Sequence, residues 1–191
     1  YHFLSLDSRE INAFAAPGGL IFVTRGMLSL CQREDDVAAV LAHEIAHVQH
    51  RHGLRSIRSG RLGGALTTLV NKGNEALSGS ALAEVTGAFQ DSVGDITDSM
   101  VTNGYSRSAE ETADKTATLL LELLGYDPYA HVQVLEAMEA ELKKNPGGFG
   151  KTHPDPQDRQ DELLERDELS EGALPSQPAR EPRFKSALGL P

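Results

Sequence analysis

The first part of the chain consists of short stretches rich in apolar residues and divided by turn-forming residues, which is the pattern of short strands. Residues 2–7 and 11–24 carry this pattern, and polar or glycine-containing breaks at 7–10 and 17–19 divide it. Short runs joined by such breaks pair readily as neighbouring strands. The pattern therefore predicts a small antiparallel sheet, followed by a short helix that begins at Gly26.

The next two long stretches repeat apolar residues every three or four positions, as amphipathic helices do. We expect Asp35 or Asp36 to cap the first helix, because a short acidic side chain can accept from the free N–H groups of the first turn. We expect the second helix to begin at Ser108, which forms a capping box with Glu111. It should end at Gly125, since glycine readily adopts the left-handed conformation that closes a helix.

Two further helices and a tail complete the predicted elements. One helix starts at Asp127, and a shorter one is capped by Asp155 and runs to about Leu164. Residues 170–191 are rich in proline, so we expect an extended tail that Phe184 pins to the body of the protein.

Residues 59–104 are rich in glycine and serine, yet they keep two helical stripes of apolar residues. They predict a helical hairpin with a weak turn at 73–79. Because few large apolar side chains are available to hold it, we expect a mobile or loosely docked lid. The whole chain, residues 1–191, is long enough for one domain with a substantial core. We expect a mainly helical α+β domain.

The strongest chemical signal is the sequence His-Glu-x-x-His at residues 43–47, a helix-borne motif of zinc metallopeptidases. On a helix, His43 and His47 lie about 40° apart on one face, so both imidazoles can bind one metal ion. Glu44 lies beside them and can take a proton from a metal-bound water. The alternative is a His-rich amphipathic helix, since His50 and His52 follow closely.

A third metal ligand must come from elsewhere in the chain. Metzincins continue the motif with glycine and histidine at the positions that His50 and Gly53 occupy here. The register does not fit, so His52 is not the expected ligand. Sites with two histidines and one glutamate take the glutamate from a second helix. Glu110, in the helix predicted from Ser108, is the candidate.

Glu110 and Asp114 lie four residues apart on one face of that helix. We expect Glu110 to bind the metal and Asp114 to accept the second N–H of His43 or His47, which would fix the ring. The alternative is a solvated acidic first turn favoured by the helix dipole. Glu111 suits this alternative, whereas Asp114, beside alanines and ahead of a leucine run, does not.

Four blocks of sequence together resemble the zinc metallopeptidase family that contains HtpX, the CAAX prenyl proteases and the BepA-like periplasmic proteases. These blocks are residues 12–26, 43–53, 105–114 and 152–159. The resemblance implies a zincin-like domain of the gluzincin type, with metal ligands at His43, His47 and Glu110 and the general base at Glu44. Lys115 stands where related sequences more often carry arginine, and this departure affects no catalytic position.

The same resemblance implies roles for the block at 152–159. In BepA-like relatives the equivalent histidine can approach the zinc, and the arginine lies near the active site. His153 is therefore a candidate fourth ligand that would keep the enzyme latent, and Arg159 is a candidate to stabilise the oxyanion. The alternative is a His-Pro turn beside the Asp155 cap, with Arg159 as a surface charge.

The first part of the chain is the expected place for substrate. An extended peptide would add as a strand along the sheet edge formed by Asn12, Ala13, Phe14 and Ala15, through main-chain hydrogen bonds. Spacing alone also allows an ordinary hairpin strand at these positions.

Composition limits the partners. The net charge is −10 with 39% hydrophobic residues, which favours an acidic globule and no nucleic-acid partner. A run of arginines within residues 51–61 leaves room for peripheral membrane contact, although a solvated helix end also explains it. No stretch approaches the ~20 apolar residues of a membrane span. With Tyr1 first and no signal-peptide pattern, we expect a soluble domain of a processed protein or a fragment. The BepA-like resemblance implies the bacterial periplasm or cell envelope.

These features together predict a zinc-dependent endopeptidase with one zinc ion per chain. It would hydrolyse peptide bonds by a metal-activated water, in unfolded or misassembled envelope proteins. One alternative is a non-catalytic, zinc-stabilised binding or chaperone-like assembly module, which would have no need for Glu44. A second alternative is an exopeptidase, which needs a group that captures a peptide terminus, and no such group is assignable.

Overall fold

The computed structural model describes residues 1–16, 18–56, 58, 105–145, 153, 155–165, 169 and 178–189. In chain order the elements are strands β1 (His2–Leu6), β2 (Ala13–Ala16) and β3 (Leu20–Thr24), then helices α1 (Arg25–Leu30), α2 (Glu34–Gln49), α3 (Arg107–Leu123), α4 (Ala130–Lys144), α5 (Pro156–Leu164) and α6 (Arg180–Leu188). The expected mainly helical α+β fold is confirmed. The hairpin or lid expected at 59–104 lies outside the described residues.

The three strands form one sheet in the order β1-β3-β2. β2 pairs with β3 in antiparallel fashion, but β1 pairs with β3 in parallel. The prediction of an antiparallel sheet is therefore wrong for one of the two pairings. After β1 the chain reverses direction and forms β2, which does not pair with β1. β3 then returns between the two strands and pairs with both. Among the described strands β2 pairs with β3 alone, so it lies at an edge of this sheet.

The connection between the sheet and α1 is tight. Thr24 caps α1, with its Oγ1 accepting from Met27 N and donating to Glu10 O and Asn12 O. Gly26 N donates to Ser8 O at 2.9 Å. A side chain at Gly26 would collide with the carbonyl groups of residues 9 and 10, so only glycine fits there. This contact fixes the start of α1 against the loop that precedes β2.

Two of the predicted helix caps are wrong, each by a few residues. α2 begins at Glu34, and Asp36 Oδ2 accepts from Arg33 N and Gln32 N from inside the first turn. Asp36 Oδ2 thus accepts from backbone N–H groups that precede the helix. The spacing of the residues alone does not reveal this. α3 is capped by Ser106 and not by Ser108, since Ser106 Oγ accepts from Ala109 N.

The remaining helix ends divide into confirmed and corrected predictions. α3 closes at Gly125, whose φ of 71° confirms the predicted stop. Asp155 caps α5 as predicted, with its side chain accepting from Gln157 N at 3.0 Å. The helix predicted from Asp127 begins later, at Ala130, after a turn.

The tail expected to be extended at 170–191 contains helix α6, which corrects that prediction. Arg180 lies buried and donates to Asp35 Oδ1 at 2.8 Å near the start of α2. Its guanidinium also covers the Tyr126 ring, 4.1 Å from the ring centre. Phe184 is buried against the core, as the sequence predicts. Long-range contacts therefore support a helix that its own proline-rich surroundings do not suggest.

Helix α2 lies at the centre of the described structure and packs against α3, α4 and the sheet. Its buried small side chains let these elements approach closely; they are Ala39, Ala42 and Ala46. Among the described helices, none is long and apolar enough to cross a membrane. The fold thus holds one face of α2 between α3 and the edge strand β2.

Candidate metal centre

Helix α2 brings His43 and His47 together on its buried face, as their spacing predicts. Their Nε2 atoms lie 3.0 Å apart. Glu110, on the facing helix α3, places Oε2 3.3 Å from His43 Nε2 and Oε1 3.4 Å from His47 Nε2. All three side chains are buried. The structure therefore gathers the three expected ligands at one point between the two helices.

His153 joins this group from the segment before α5. Its Nδ1 lies 2.9 Å from Glu110 Oε2 and 3.4 Å from His43 Nε2. One ligand atom from each of His43, His47, Glu110 and His153 lies within 4.8 Å of the other three. Three imidazole nitrogens and one carboxylate are a donor set that suits zinc.

The electrostatics of the cluster also favour a cation. Two imidazole nitrogens that face each other at 3.0 Å, as in His43 and His47, are both satisfied by a cation between them. Although burial lowers the pKa of His153, the nearby carboxylates of Glu110 and Glu44 raise it to about 10. The side chains present therefore fit a bound metal ion.

Glu44 lies next to the cluster but is not one of the grouped ligands. Its Oε1 is 3.5 Å from His153 Nε2, and its Oε2 is buried without a hydrogen-bond partner among the described residues. A buried carboxylate oxygen without a donor is costly, by about 1–3 kcal/mol or more. Such a position suits a group whose partner is a reacting water.

Asp114 and Arg159 form a buried pair behind the ligands. Arg159 donates from Nε to Asp114 Oδ2 at 2.9 Å and from Nη2 to Oδ1 at 2.6 Å. Asp114 Oδ1 lies 2.8 Å from His43 Nδ1, the ring nitrogen that faces away from the cluster. Burial raises the pKa of Asp114, but the charges of Arg159 and His43 hold it well below its usual value. Asp114 is therefore an anion that fixes the His43 ring, and Arg159 is not a surface charge.

Two buried histidines were missed by sequence reasoning. His52 Nδ1 lies 3.0 Å from His47 Nδ1, and His131 Nε2 lies 2.9 Å from Asp114 Oδ1. Arg51, with a φ of 54°, turns the chain after α2 so that His52 folds back onto His47. The spacing of the metzincin motif argued against His52 as the third ligand. That spacing carries no information on a contact between His52 and Nδ1 of His47. Nothing in the local sequence marks His131.

Tyr105 forms the wall between the cluster and the edge strand. Its ring stacks on His47 with centroids 4.1 Å apart, and its hydroxyl donates to Ala15 O at 3.2 Å. Burial and the nearby carboxylates Glu44 and Glu110 raise its pKa, so the hydroxyl stays protonated and able to donate. The only signal in the sequence was its place in the block at 105–114.

The expected substrate strand lies beside the cluster. Ala13, Phe14 and Ala15 belong to β2, and Asn12 comes just before it. Ala13 O lies 3.3 Å from His153 Nε2. Phe14 stacks on Phe22 of β3, with centroids 4.9 Å apart. β2 is thus the first strand of a hairpin with β3 and, among the described strands, an edge strand beside the metal centre.

A buried cluster of two histidines and a glutamate on packed helices, with a carboxylate beside it, is the arrangement of side chains that zinc metallopeptidases use. The sequence pattern of Peptidase family M48 matches residues 1–167. The chain therefore belongs to peptidase family M48, and the resemblance predicted from the motifs is confirmed.

Three relatives illustrate the range of similar proteins. The Escherichia coli (strain K12) "Beta-barrel assembly-enhancing protease" is 28% identical over 161 residues, which are 83% of this chain and 33% of the relative. The Schizosaccharomyces pombe "Mitochondrial metalloendopeptidase OMA1" is 33% identical over 150 residues, 75% of this chain and 40% of the relative. A "Protease HtpX homolog" of Ralstonia nicotianae is 27% identical over 157 residues, 78% of this chain and 53% of the relative. The chain thus spans about a third to a half of the length of these relatives.

Proposed function

We propose that the protein is a zinc-dependent endopeptidase that binds one zinc ion through His43, His47 and Glu110. One observation carries the proposal: these three buried ligands converge while the Oε2 atom of Glu44 is held beside them with no donor among the described residues. A structural zinc site has four protein ligands and no need of a neighbouring base, whereas a catalytic site keeps a position open.

The chain's own residues supply the proton transfers. A zinc ion, when bound, polarises the substrate carbonyl and makes a water more acidic. Glu44 takes a proton from the attacking water and passes it to the amine that leaves. Asp114 holds the His43 ring through Nδ1, and His52 holds the His47 ring in the same way. Fixed rings keep the ligand nitrogens aimed at one point, which metal affinity requires.

The substrate lies along β2 in this proposal. An added peptide strand would pair with the outer edge of β2, where Ala13 O contacts His153 Nε2 and Ala15 O accepts from Tyr105. Main-chain pairing fixes the position of the scissile carbonyl and depends little on the side chains of the substrate. Such binding suits extended, unfolded polypeptides of varied sequence.

His153 is proposed to hold the enzyme in a latent state. Its imidazole contacts Glu110, Glu44 and Ala13 O together, so it occupies the places of the water and of the substrate strand. Activity then requires His153 to leave. We propose that the positive charge of Arg159, whose Nη1 lies 3.7 Å from Glu110 Oε2, stabilises the oxyanion that develops on the substrate.

The proposed biological role is quality control in the bacterial periplasm or cell envelope, acting on unfolded or misassembled proteins. The name of the E. coli relative refers to β-barrel assembly, and this supports the role by analogy. Contact with a membrane surface is proposed at the exposed Arg51 and Leu54, which lie together just after α2. Polypeptides are the proposed partners, and nucleic acid is not among them.

A binding or assembly module that uses the same fold without cleavage is the second candidate function. Incubation of denatured casein with the metal-free protein, with and without one equivalent of zinc, separates the two. The proposal predicts cleavage only with zinc, and products whose mass spectra show internal cuts. Zinc binding at one ion per chain without cleavage would favour the binding module, and stepwise trimming of the ends would favour an exopeptidase.

A further inference from the structure

His131 of helix α4 is a buried histidine that the proposed mechanism does not use. Its side chain lies within the fold, with 3% exposure, and its Nε2 is 2.9 Å from Asp114 Oδ1. Because the Asp114 carboxylate is an anion that can only accept, the proton lies on Nε2 and His131 donates to Asp114. The same Oδ1 atom lies 2.8 Å from His43 Nδ1. His131 therefore contacts the carboxylate oxygen that holds one of the proposed metal ligands.

The ring of His131 also packs against the ring of His43. The two ring centres are 5.6 Å apart, and the planes are inclined by 25°. The hydrogen bond restricts rotation of the Asp114 carboxylate, and the ring contact restricts tilting of the His43 imidazole. One side chain of α4 thus limits the motion of both groups.

His43, Asp114 and His131 are close enough together to hold a metal ion by themselves. The buried Arg159 argues against a second metal site, because it donates to both carboxylate oxygens of Asp114, at 2.9 and 2.6 Å. A cation bound there would lie beside the guanidinium charge, in a buried position where charges are poorly screened. The three side chains therefore form a hydrogen-bonded network behind the metal centre.

The second ring nitrogen of His131 shows that stability alone does not explain this histidine. Nδ1 is buried and has no hydrogen-bond partner among the described residues. A buried acceptor without a donor lowers stability, and an apolar side chain of similar size would avoid that loss. Without His131, Asp114 would still accept two hydrogen bonds from Arg159. A buried polar residue that is unfavourable in this way is expected where function requires it.

We propose that His131 is a positioning residue of the metal centre, which holds the Asp114 carboxylate in the orientation that accepts from Nδ1 of His43. The inference rests on the proposed zinc site and adds to it a residue from a third helix. Arg159 donates to Asp114 from α5 and His131 donates from α4, so the carboxylate is held from two helices. His131 acts on the metal through Asp114 and does not bind it. Without this donor the His43 ring is held less firmly, which weakens metal binding.

The test measures two properties of His131 variants: zinc affinity, by competition with a chromophoric chelator, and the urea midpoint of the metal-free protein. His131→Leu removes the donor but keeps a side chain that fills the space. Zinc affinity should fall about 10-fold, at the lower end for a residue that orients a ligand. The urea midpoint should stay at or above the wild-type value, because the unpaired ring nitrogen is gone.

A conservative variant separates positioning from packing. His131→Gln should recover most of the zinc affinity, because its amide can donate to Asp114 in place of Nε2. The visible absorption bands of the cobalt(II)-substituted protein report the geometry of the ligands. They should change in His131→Leu and return toward the wild-type bands in His131→Gln.

Val132→Ala is the matched control, since Val132 is the next residue of α4 and is fully buried. This variant should lower the urea midpoint and leave zinc affinity unchanged. In the Asp114→Asn background, His131→Leu should cause much less than its 10-fold loss of affinity, because two residues that act through one network are not additive.

Several outcomes overturn the inference. Wild-type zinc affinity in His131→Leu would do so, and so would a joint fall in affinity and urea midpoint that His131→Gln does not reverse. Two zinc ions per chain in the wild type and one in His131→Leu would assign His131 to a second metal site. Failure of the wild type to bind zinc would contradict the metal centre itself. The expected order of zinc affinities without casein cleavage would uphold the role of His131 and contradict the endopeptidase function.

Discussion

Asp114 Oδ1 lies 2.8 Å from Nδ1 of His43, on the side of the ring that faces away from the metal centre. A carboxylate in this position can fix both the tautomer and the orientation of the His43 ring, as it would for the proposed metal ligand. Asp114 also receives two hydrogen bonds from the buried Arg159. One acidic side chain thus connects α2, α3 and α5 behind the site.

Replacing Asp114 by asparagine is expected to weaken zinc binding by about 10- to 100-fold, because the His43 ring loses its charged partner. It should also lower the stability of the metal-free protein by about 3 kcal/mol, since the buried Arg159 would lose its closest charged partner and keep only the longer contact with Glu110. Competition with a chromophoric chelator measures the first effect, and denaturant unfolding measures the second. Glu111→Gln is the control, because Glu111 contacts the exposed Lys115. Unchanged zinc affinity in Asp114→Asn would show that His43 is held by something else.

His52 is expected to support His47 in the same way, although without a charge. His52→Ala should lower zinc affinity by about 10-fold, at the lower end for a residue that orients a ligand. His52→Asn should recover part of the loss, because its side chain can still hydrogen-bond to His47. His50→Ala is the matched control, since His50 contacts Thr116 and not a metal ligand. Equal effects of the two alanine variants would argue against a specific role for His52.

His153→Ala is expected to raise the basal cleavage of denatured casein several-fold, because the imidazole then no longer covers Glu44 and Ala13 O. Its zinc content should remain one ion per chain, held by the other three ligands. Arg159→Ala should instead lower cleavage, through loss of both the support for Asp114 and the positive charge near the oxyanion. Reduced activity in His153→Ala would exclude self-inhibition and would indicate a residue that acts on the substrate.

Residues of the site that lie close together in the chain could be predicted from the sequence, whereas residues that meet only through contacts between helices could not. His43, Glu44 and His47 share one helix turn, so local spacing alone predicts that they share a face. The prediction of Glu110 required knowledge of sites with two histidines and one glutamate, together with the family resemblance. His131 comes from a third helix and touches Asp114 only in the folded protein. Such contacts between helices have no signature in the periodicity of either one.

The fold shows the same limit. The short apolar stretches predict the strands, but they do not say that β3 lies between β1 and β2, because the pairing depends on the connections and not on the strand sequences. Helix α6 was missed for a related reason. Its contacts are with residues distant in the chain: Arg180 donates to Asp35, 145 positions away, and Phe184 is buried in the core cluster.

The contact between Arg180 and Asp35 is expected to hold α6 to helix α2. Arg180→Met should destabilise the protein by about 3 kcal/mol, because the buried Asp35 carboxylate loses its charged partner, although it keeps the hydrogen bond from Asp127 N. Arg183→Met is the control: Arg183 pairs with Glu34 but is 63% exposed, and such a pair is worth about 0–1 kcal/mol. Urea unfolding monitored by circular dichroism measures both. Similar midpoints for the two variants would contradict the distinction between the buried and the exposed pair.

The most direct test of the central claim is the zinc content and casein cleavage of Glu44→Gln, measured on one preparation beside the wild type. Glutamine keeps the shape of the side chain and can still hydrogen-bond to a water, but it cannot accept a proton at neutral pH. We predict one zinc ion per chain in both proteins, with cleavage abolished in Glu44→Gln alone. Loss of zinc in the variant would show that Glu44 is a metal ligand, and cleavage at the wild-type rate would show that it is not the base.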